Sequence, residues 1–176
     1  MVKLLKTFGY ILFFICALVF FMPKISLYHY AEKELEKHKV VFSNEQALDS
    51  GLSLKLSDVD ISYESIESAN VEVVDVKLFL LYNTISIHNI ILSDMAASFI
   101  PVKVESLEVH YSIVNPLYIT ANASGEFGEA SAKVNILDRN ATLLLNPSPL
   151  MKKKYSSTLR KLKKNNQGEY RYAKNF

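Results

Sequence analysis

The residues able to do chemistry are few and widely spaced. The sharpest short motif is Asp138-Arg-Asn-Ala-Thr142. Asn-x-Ser/Thr marks N-glycan acceptors in exported chains, and an acid two residues before the asparagine resembles the extended acceptor of bacterial N-glycosylation. A turn between two strands is expected to expose Asn140 for that modification. Chance is the competing reading, since the plain form also occurs at Asn122-Ala-Ser124. His29, His38, His88 and His110 lack the spacing of metal ligands and read as solvent-facing positions. Asp58 and Asp60 stand two apart on one strand face, but the loop ligands that calcium needs are missing beside them. There is no Gly-rich phosphate loop, nucleophile elbow or catalytic carboxylate pair. The reading is therefore of a protein that is not an enzyme and carries no metal or cofactor.

One basic run stands apart. Lys152, Lys153, Lys154, Arg160, Lys161, Lys163 and Lys164 fall within thirteen residues. Three readings are open for this surface. It is a helix packed on an acidic sheet with its lysines in water, a contact for anionic lipid head groups at about 1 kcal/mol per basic residue, or a contact for an acidic partner protein. The charge distribution keeps all three in play. Residues 40–149 carry 14 acids and 5 bases, net −9, whereas residues 150–176 carry 9 bases and 1 acid, net +8.

What must position these groups begins with an apolar N-terminus. Leu4 to Met22 is interrupted only by Lys6, Thr7 and Gly9. A helix rising ~1.5 Å per residue needs ~20 apolar residues to cross the ~30 Å hydrocarbon layer. The run suffices if Lys3 and Lys6 snorkel to the head groups. A cleaved signal peptide needs a small-x-small site, and Phe20-Phe21-Met22-Pro23-Lys24 offers none. Cys16 follows Ile15, so no lipobox is formed, and an all-apolar helix suits lipid better than a protein core. Residues 1–23 thus read as a cytoplasmic stub and a single transmembrane anchor, with the bulk of the chain exported. The only cysteine lies within that anchor, which leaves the exported part without disulfides and fits a bacterial periplasm. Nucleic acid is not an expected partner there.

Residues 24–39 read as a linker helix, with Ile25, Tyr28 and Leu35 in helical rhythm. From Val40 the period changes to 2. Leu52, Leu54 and Leu56 share a face, then Val59 and Ile61 continue on the opposite parity, which predicts a bulge or bend near Ser57–Asp58. Further strands are expected over 68–81, 82–92, 102–114, 118–125, 130–137 and 140–145, with Gly125-Glu-Phe-Gly128 as a hairpin. Asn146-Pro-Ser-Pro149 breaks the pattern. Ser148 caps a helix expected over 149–165, and 168–176 reads as a terminal strand. The fold class is mainly β: a twisted antiparallel meander over residues 40–176, flanked by one N-terminal and one C-terminal helix.

This order resembles the type II secretion system protein N family and, more loosely, AsmA-like envelope proteins. The residues that carry it are Gly51-Leu-Ser-Leu-Lys-Leu-Ser-Asp-Val-Asp-Ile61, Val104-Glu-Ser-Leu-Glu-Val-His110, Leu143-Leu-Leu-Asn-Pro-Ser148 and Gly168-Glu-Tyr-Arg-Tyr172. The chain departs from those families in being short and in having only 5 glycines. The resemblance implies a non-catalytic, inner-membrane-anchored periplasmic part of an envelope machine, such as type II secretion or a flagellar-motor disc, whose partners are other proteins of that complex. The AsmA-like alternative implies a lipid-handling module with an apolar groove.

Overall fold

The apolar N-terminal run has no turn chemistry before Pro23, and it forms helix α1, Val2–Phe21. In this computed structural model, which describes residues 2–79, 81–165 and 168–176, α1 is long and apolar enough to cross a membrane by length and composition, and little of it is buried. Pro23 cannot continue the ladder, and helix α2, Lys24–Lys37, starts directly after it. Lys39, at φ 64°, turns the chain into the sheet.

The strands are β1 Val40–Ser43, β2 Gln46–Asp49, β3 Ser53–Tyr63, β4 Ile66–Leu78 and β5 Tyr82–Leu92, then helix α3 Asp94–Ala97. β6 Lys103–Ser112, β7 Tyr118–Gly125, β8 Gly128–Asn135 and β9 Asn140–Pro147 continue the meander. Helices α4 Pro149–Lys154 and α5 Ser156–Leu159 lead to β10 Lys163–Lys164 and β11 Tyr170–Asn175. All strands join one open antiparallel sheet in the order β1-β3-β4-β5-β6-β7-β8-β9-β11-β10, with β2 also on β3.

Register turns the period-2 pattern into continuous rows. Leu56, Val74, Ile87, Leu107, Ala123, Ala130, Leu145 and Tyr170 are successive partners across eight strands. The next row on the same face runs Leu54, Val76, Ile85, Val109, Ala121, Ala132, Leu143 and Tyr172. Between them, on the other face, lies Lys55, Asp75, Ser86, Glu108, Asn122, Ser131, Leu144 and Arg171. One face is therefore apolar and the other polar, because successive side chains alternate across a strand. The parity change in β3 is made by Asp58, at φ 56°. Asn89 of β5 has φ 55°, and its amide donates to Glu72 at 2.6 Å.

Only part of the apolar face is covered. Tyr28 of α2 stacks on Phe42 with centroids 6.5 Å apart, Met151 of α4 and Leu159 of α5 are buried, and the Thr158 hydroxyl donates to the Phe99 carbonyl at 2.7 Å. These elements seal the first row, whose eight residues all belong to the core or pack on it. Of the second row, Leu54 and Val76 do so among the described residues. Ile85 and Tyr172 are 37% and 46% exposed.

The expected single helix over 149–165 is broken. The Ser148 hydroxyl accepts from the Met151 N–H at 3.1 Å and Pro149 occupies the first position, so α4 starts as expected. Tyr155 then leaves the helix at φ −117°, and the chain restarts as the short α5 from Ser156, which brings Thr158 to the Phe99 carbonyl. Strands expected over 68–81, 102–114 and 130–137 stop at Leu78, Ser112 and Asn135. Among the described residues, Phe79, Leu81, Ile113, Val114, Ile136 and Leu137 lie in the connections beyond those ends.

Asp58 gives a direct test of the parity change. A β-branched residue in the left-handed region is strained by about 1–2 kcal/mol. Asp58→Val is expected to lower stability by about that amount in chemical unfolding, and Asp58→Gly to leave it nearly unchanged.

Candidate functional site

The end of the apolar helix is joined to the sheet through a buried lysine. The Lys24 side chain is fully buried, and its ammonium donates to the carbonyls of Val19 at 3.2 Å, Phe20 at 3.4 Å and Met22 at 3.3 Å. These carbonyls end α1 and have no helical partners, and a cation there also answers the negative end of the helix dipole. The same ammonium lies 3.7 Å from the Asp49 carboxylate at the end of β2. Asp49 in turn accepts the Gly51 N–H at 2.8 Å. That hydrogen bond, with Lys24, holds the Asp49 carboxyl below its ordinary range, against the effect of burial. Gly51 sits at φ 79°, and a Cβ there would come within 2.4 Å of the Phe20 ring. The β2–β3 turn is thus shaped to receive the end of α1.

Beside this joint, α1 and the sheet enclose an apolar cleft of about 870 Å³. Leu12, Phe13, Cys16 and Phe20 line one wall, and Leu52, Phe79, Leu81 and Tyr82 the other. The β4–β5 turn therefore lies along the last two to three turns of α1, beyond the point where α1 meets β2–β3.

The same end of the sheet carries a row of neighbouring turns with apolar, open tips. Ser112 pairs with Tyr82, Asn135 with both Tyr118 and Asn140, and Asn175 with Asn140. The β4–β5, β6–β7 and β8–β9 turns and the end of β11 are therefore neighbours. Their tips expose Leu81 (62%), Val114 (81%), Leu137 (71%) and Phe176 (65%). The backbone between them is paired. Ile113 N–H donates to Leu81 at 3.3 Å, Ile136 N–H to Leu117 at 2.9 Å and Phe176 N–H to Arg139 at 2.9 Å. Asn135, buried at the base of the β8–β9 turn, accepts from the Leu137 and Asp138 N–H groups and donates to the Asp138 carboxylate. The exposed apolar side chains thus stand on a backbone tied together from turn to turn.

The residues singled out by sequence are scattered. Asn140 is half-buried and paired in the ladder on both sides, to Asn135 and Asn175, so the turn exposes Ile136–Arg139 and not the expected acceptor. Lys152, Lys153, Lys154, Arg160, Lys161, Lys163 and Lys164 are exposed and follow Pro147, at the end of β9 opposite the apolar tips. Lys161 lies over the Phe99 ring and Lys164 over Tyr170. Asp58 is exposed in the middle of β3, whereas the Asp60 carboxylate accepts the Asn70 and Asn44 amides at 2.6 Å each and is held below its ordinary range by them. The Tyr82 hydroxyl and His110 Nδ1 are 2.8 Å apart. Two shallow cavities of about 490 and 540 Å³ lie on the polar face over β6–β9. Among the described residues no group of three or more His, Cys, Asp or Glu is placed to hold a metal.

The joint and the apolar turns were not found by sequence reasoning. Lys24 reads as one flanking lysine among several, and Ile113, Val114, Ile136 and Leu137 read as strand ends. Compared with known protein families, curated proteins and solved structures, the chain matches none.

The joint makes two expected outcomes. Lys24→Met leaves three carbonyls and Asp49 without their donor and is expected to cost about 1–3 kcal/mol, read as a lower thermal midpoint of the full chain in detergent. The folded-state pKa of Asp49 lies below its unfolded value, so its contribution is complete at neutral pH and is lost as pH falls below the ordinary 3.8. Asp49→Asn is expected to flatten the acid limb of the stability curve without moving the alkaline side.

Proposed function

We propose that this chain is a single-pass, membrane-anchored β platform without catalytic chemistry, and that its uncovered apolar face takes up lipid acyl chains from the bilayer that holds α1. The observation that carries the reading is the second apolar row, with Tyr111, Ile119, Val134 and Ala141 partnered beyond it. From Ile85 outward, none of the described residues of these rows belongs to the core or packs on it, although Val109, Ala121, Ala132 and Leu143 are half-buried between their neighbours. They lead without a polar row to the apolar turns beside α1. A soluble monomer seldom leaves such a contiguous patch open, because each Å² of apolar surface kept from water is worth ~25 cal/mol. A bilayer at that end supplies both the cover and the ligand. An N-terminus inside and the sheet outside, in a bacterial inner membrane and periplasm, is the arrangement that the uncleaved anchor supports.

The scaffold reading keeps one feature of its own. The basic surface stands at the far end of β9, and eight residues at ~3.4 Å each put it over 20 Å from the apolar turns. That is more than twice the ~10 Å screening length at 0.1 M salt. The position supports an acidic partner protein of an envelope complex, such as secretion or flagellar-motor components, over the head groups of the bilayer that holds α1.

The lipid reading is tested with full-length protein in vesicles containing a phospholipid with a photoactivatable acyl chain. Cross-links are expected on mid-strand residues of β6 and β9, such as Val109 and Leu143, and to fall several-fold in Val109→Glu. The polar-face variant Glu108→Gln should keep them. Cross-links confined to α1 would overturn lipid uptake, and capture of the same face by another protein would favour the scaffold.

A further inference from the structure

We infer that the turns at the α1 end of the sheet form a membrane-inserting edge, whose apolar tips enter the acyl layer of the leaflet in which α1 ends. This rests on α1 spanning the bilayer and goes beyond lipid uptake, because the edge would insert whether or not the sheet face carries lipid.

Three independent features place the tips there. The first is depth. Leu12 and Phe13 lie near the middle of the apolar span Lys3–Phe21, and both line the same cleft as Phe79 and Leu81. Eight residues of helix separate Leu12 from Phe20, roughly 12 Å along the axis. A tip that shares a cleft with Leu12 while α1 spans the bilayer cannot sit above the head groups. The second is layering. Behind the tips come Tyr82, Tyr111 and Tyr118, and with them Lys77, Lys133 and Lys174, partnered in or next to the same rows. The Lys133 ammonium lies 3.9 Å over the Tyr118 ring. Apolar residues outermost, tyrosines next and cations at head-group level is the order in which side chains partition across a membrane interface. The β8–β9 turn also carries Asp138 and Arg139, which follow Leu137 and can reach head-group level, whereas the far-end turns mix Glu64, Asp94 and Glu126 with exposed Met95 and Phe99 and have no such tyrosine layer behind them among the described residues.

The third feature is the backbone. Unpaired N–H and C=O groups keep ordinary turns out of hydrocarbon. Here Leu81, Leu117 and Arg139 each accept from the neighbouring turn, and the Ser112 hydroxyl donates to Leu81 at 2.8 Å. From β5 to β11 the tips extend over five strand spacings, roughly 24 Å. That line of contact, together with α1, would hold the strands at a fixed tilt to the membrane.

The test uses the full chain with its cysteine removed as Cys16→Ala. Single cysteines are placed by Leu81→Cys, Val114→Cys and Leu137→Cys, with Phe13→Cys for the anchor and Glu67→Cys for the far end. Each carries an environment-sensitive fluorophore in phosphatidylethanolamine/phosphatidylglycerol vesicles containing doxyl-labelled acyl chains. Quenching at 81, 114 and 137 is expected to exceed that at 67 several-fold. In native membranes the same sites should resist a membrane-impermeant maleimide while position 67 reacts. Quenching at 13 without quenching at 114 and 137 would overturn the edge and leave the anchor standing. Absence of quenching at 13 would remove the anchor on which both rest. A blue shift at 114 and 137 without lipid quenching would mark a protein contact and also overturn the edge.

Discussion

Covering the apolar side of the sheet is the constraint on which the rest of this structure depends. Antiparallel pairing in strict register stacks Leu, Val, Ile and Ala into rows eight strands wide. The chain supplies three small covers, namely α2, the segment around Phe99 and the α4–α5 turn, and all of them lie over the first row. The ten strands of the main path would be enough for a barrel, but the terminal strands β1 and β10 are not paired with each other, so the sheet stays open. The remaining apolar surface is therefore left facing the end where α1 departs, and that geometry ties the fold to the anchor more firmly than sequence adjacency does.

The joint converts that neighbourhood into a fixed relation. A lysine beneath the last turn of α1 would be costly if unpaired, because a buried ammonium loses its hydration. Three carbonyls and one carboxylate compensate it. Gly51 contributes by absence: the Phe20 ring occupies the space a side chain would need. The Asp49–Gly51 hydrogen bond links the two, so the cap of α1 and the first hairpin of the sheet are one unit. The polar face is simpler in physical terms. Its histidines, serines and acids pair locally across strands, as Ser106 with Ser124 and His110 with Tyr82 do.

Much of this was legible before any coordinates. The alternation of Leu52, Leu54 and Leu56, the parity change at Asp58, the Gly125–Gly128 hairpin and the Ser148-Pro149 helix start are local signals, and local chemistry determines them. That residues 24–37 are helical was readable from Ile25, Tyr28 and Leu35. What was not readable depends on partners far apart in the chain. Nothing near Lys24 says that it folds back under Phe20, and nothing near Val114 says that Leu81 and Leu137 end up beside it. The strand ends misled for a related reason. Ile113-Val114 and Ile136-Leu137 have strand propensity, so they extend the pattern in sequence although the ladder has already stopped. The basic run failed as one helix because the chain breaks at Tyr155 and the short α5 that follows, Ser156–Leu159, consists mostly of residues of modest helix propensity.

The central claim is that α1 stays in a bilayer and sets the apolar end of the sheet against it. The most direct measurement is the intact mass of the native protein after alkaline extraction of the membranes that contain it. The account predicts a chain that keeps residues 1–23 attached to the sheet and stays in the membrane pellet. A shortened chain lacking those residues and released into the soluble fraction would contradict it.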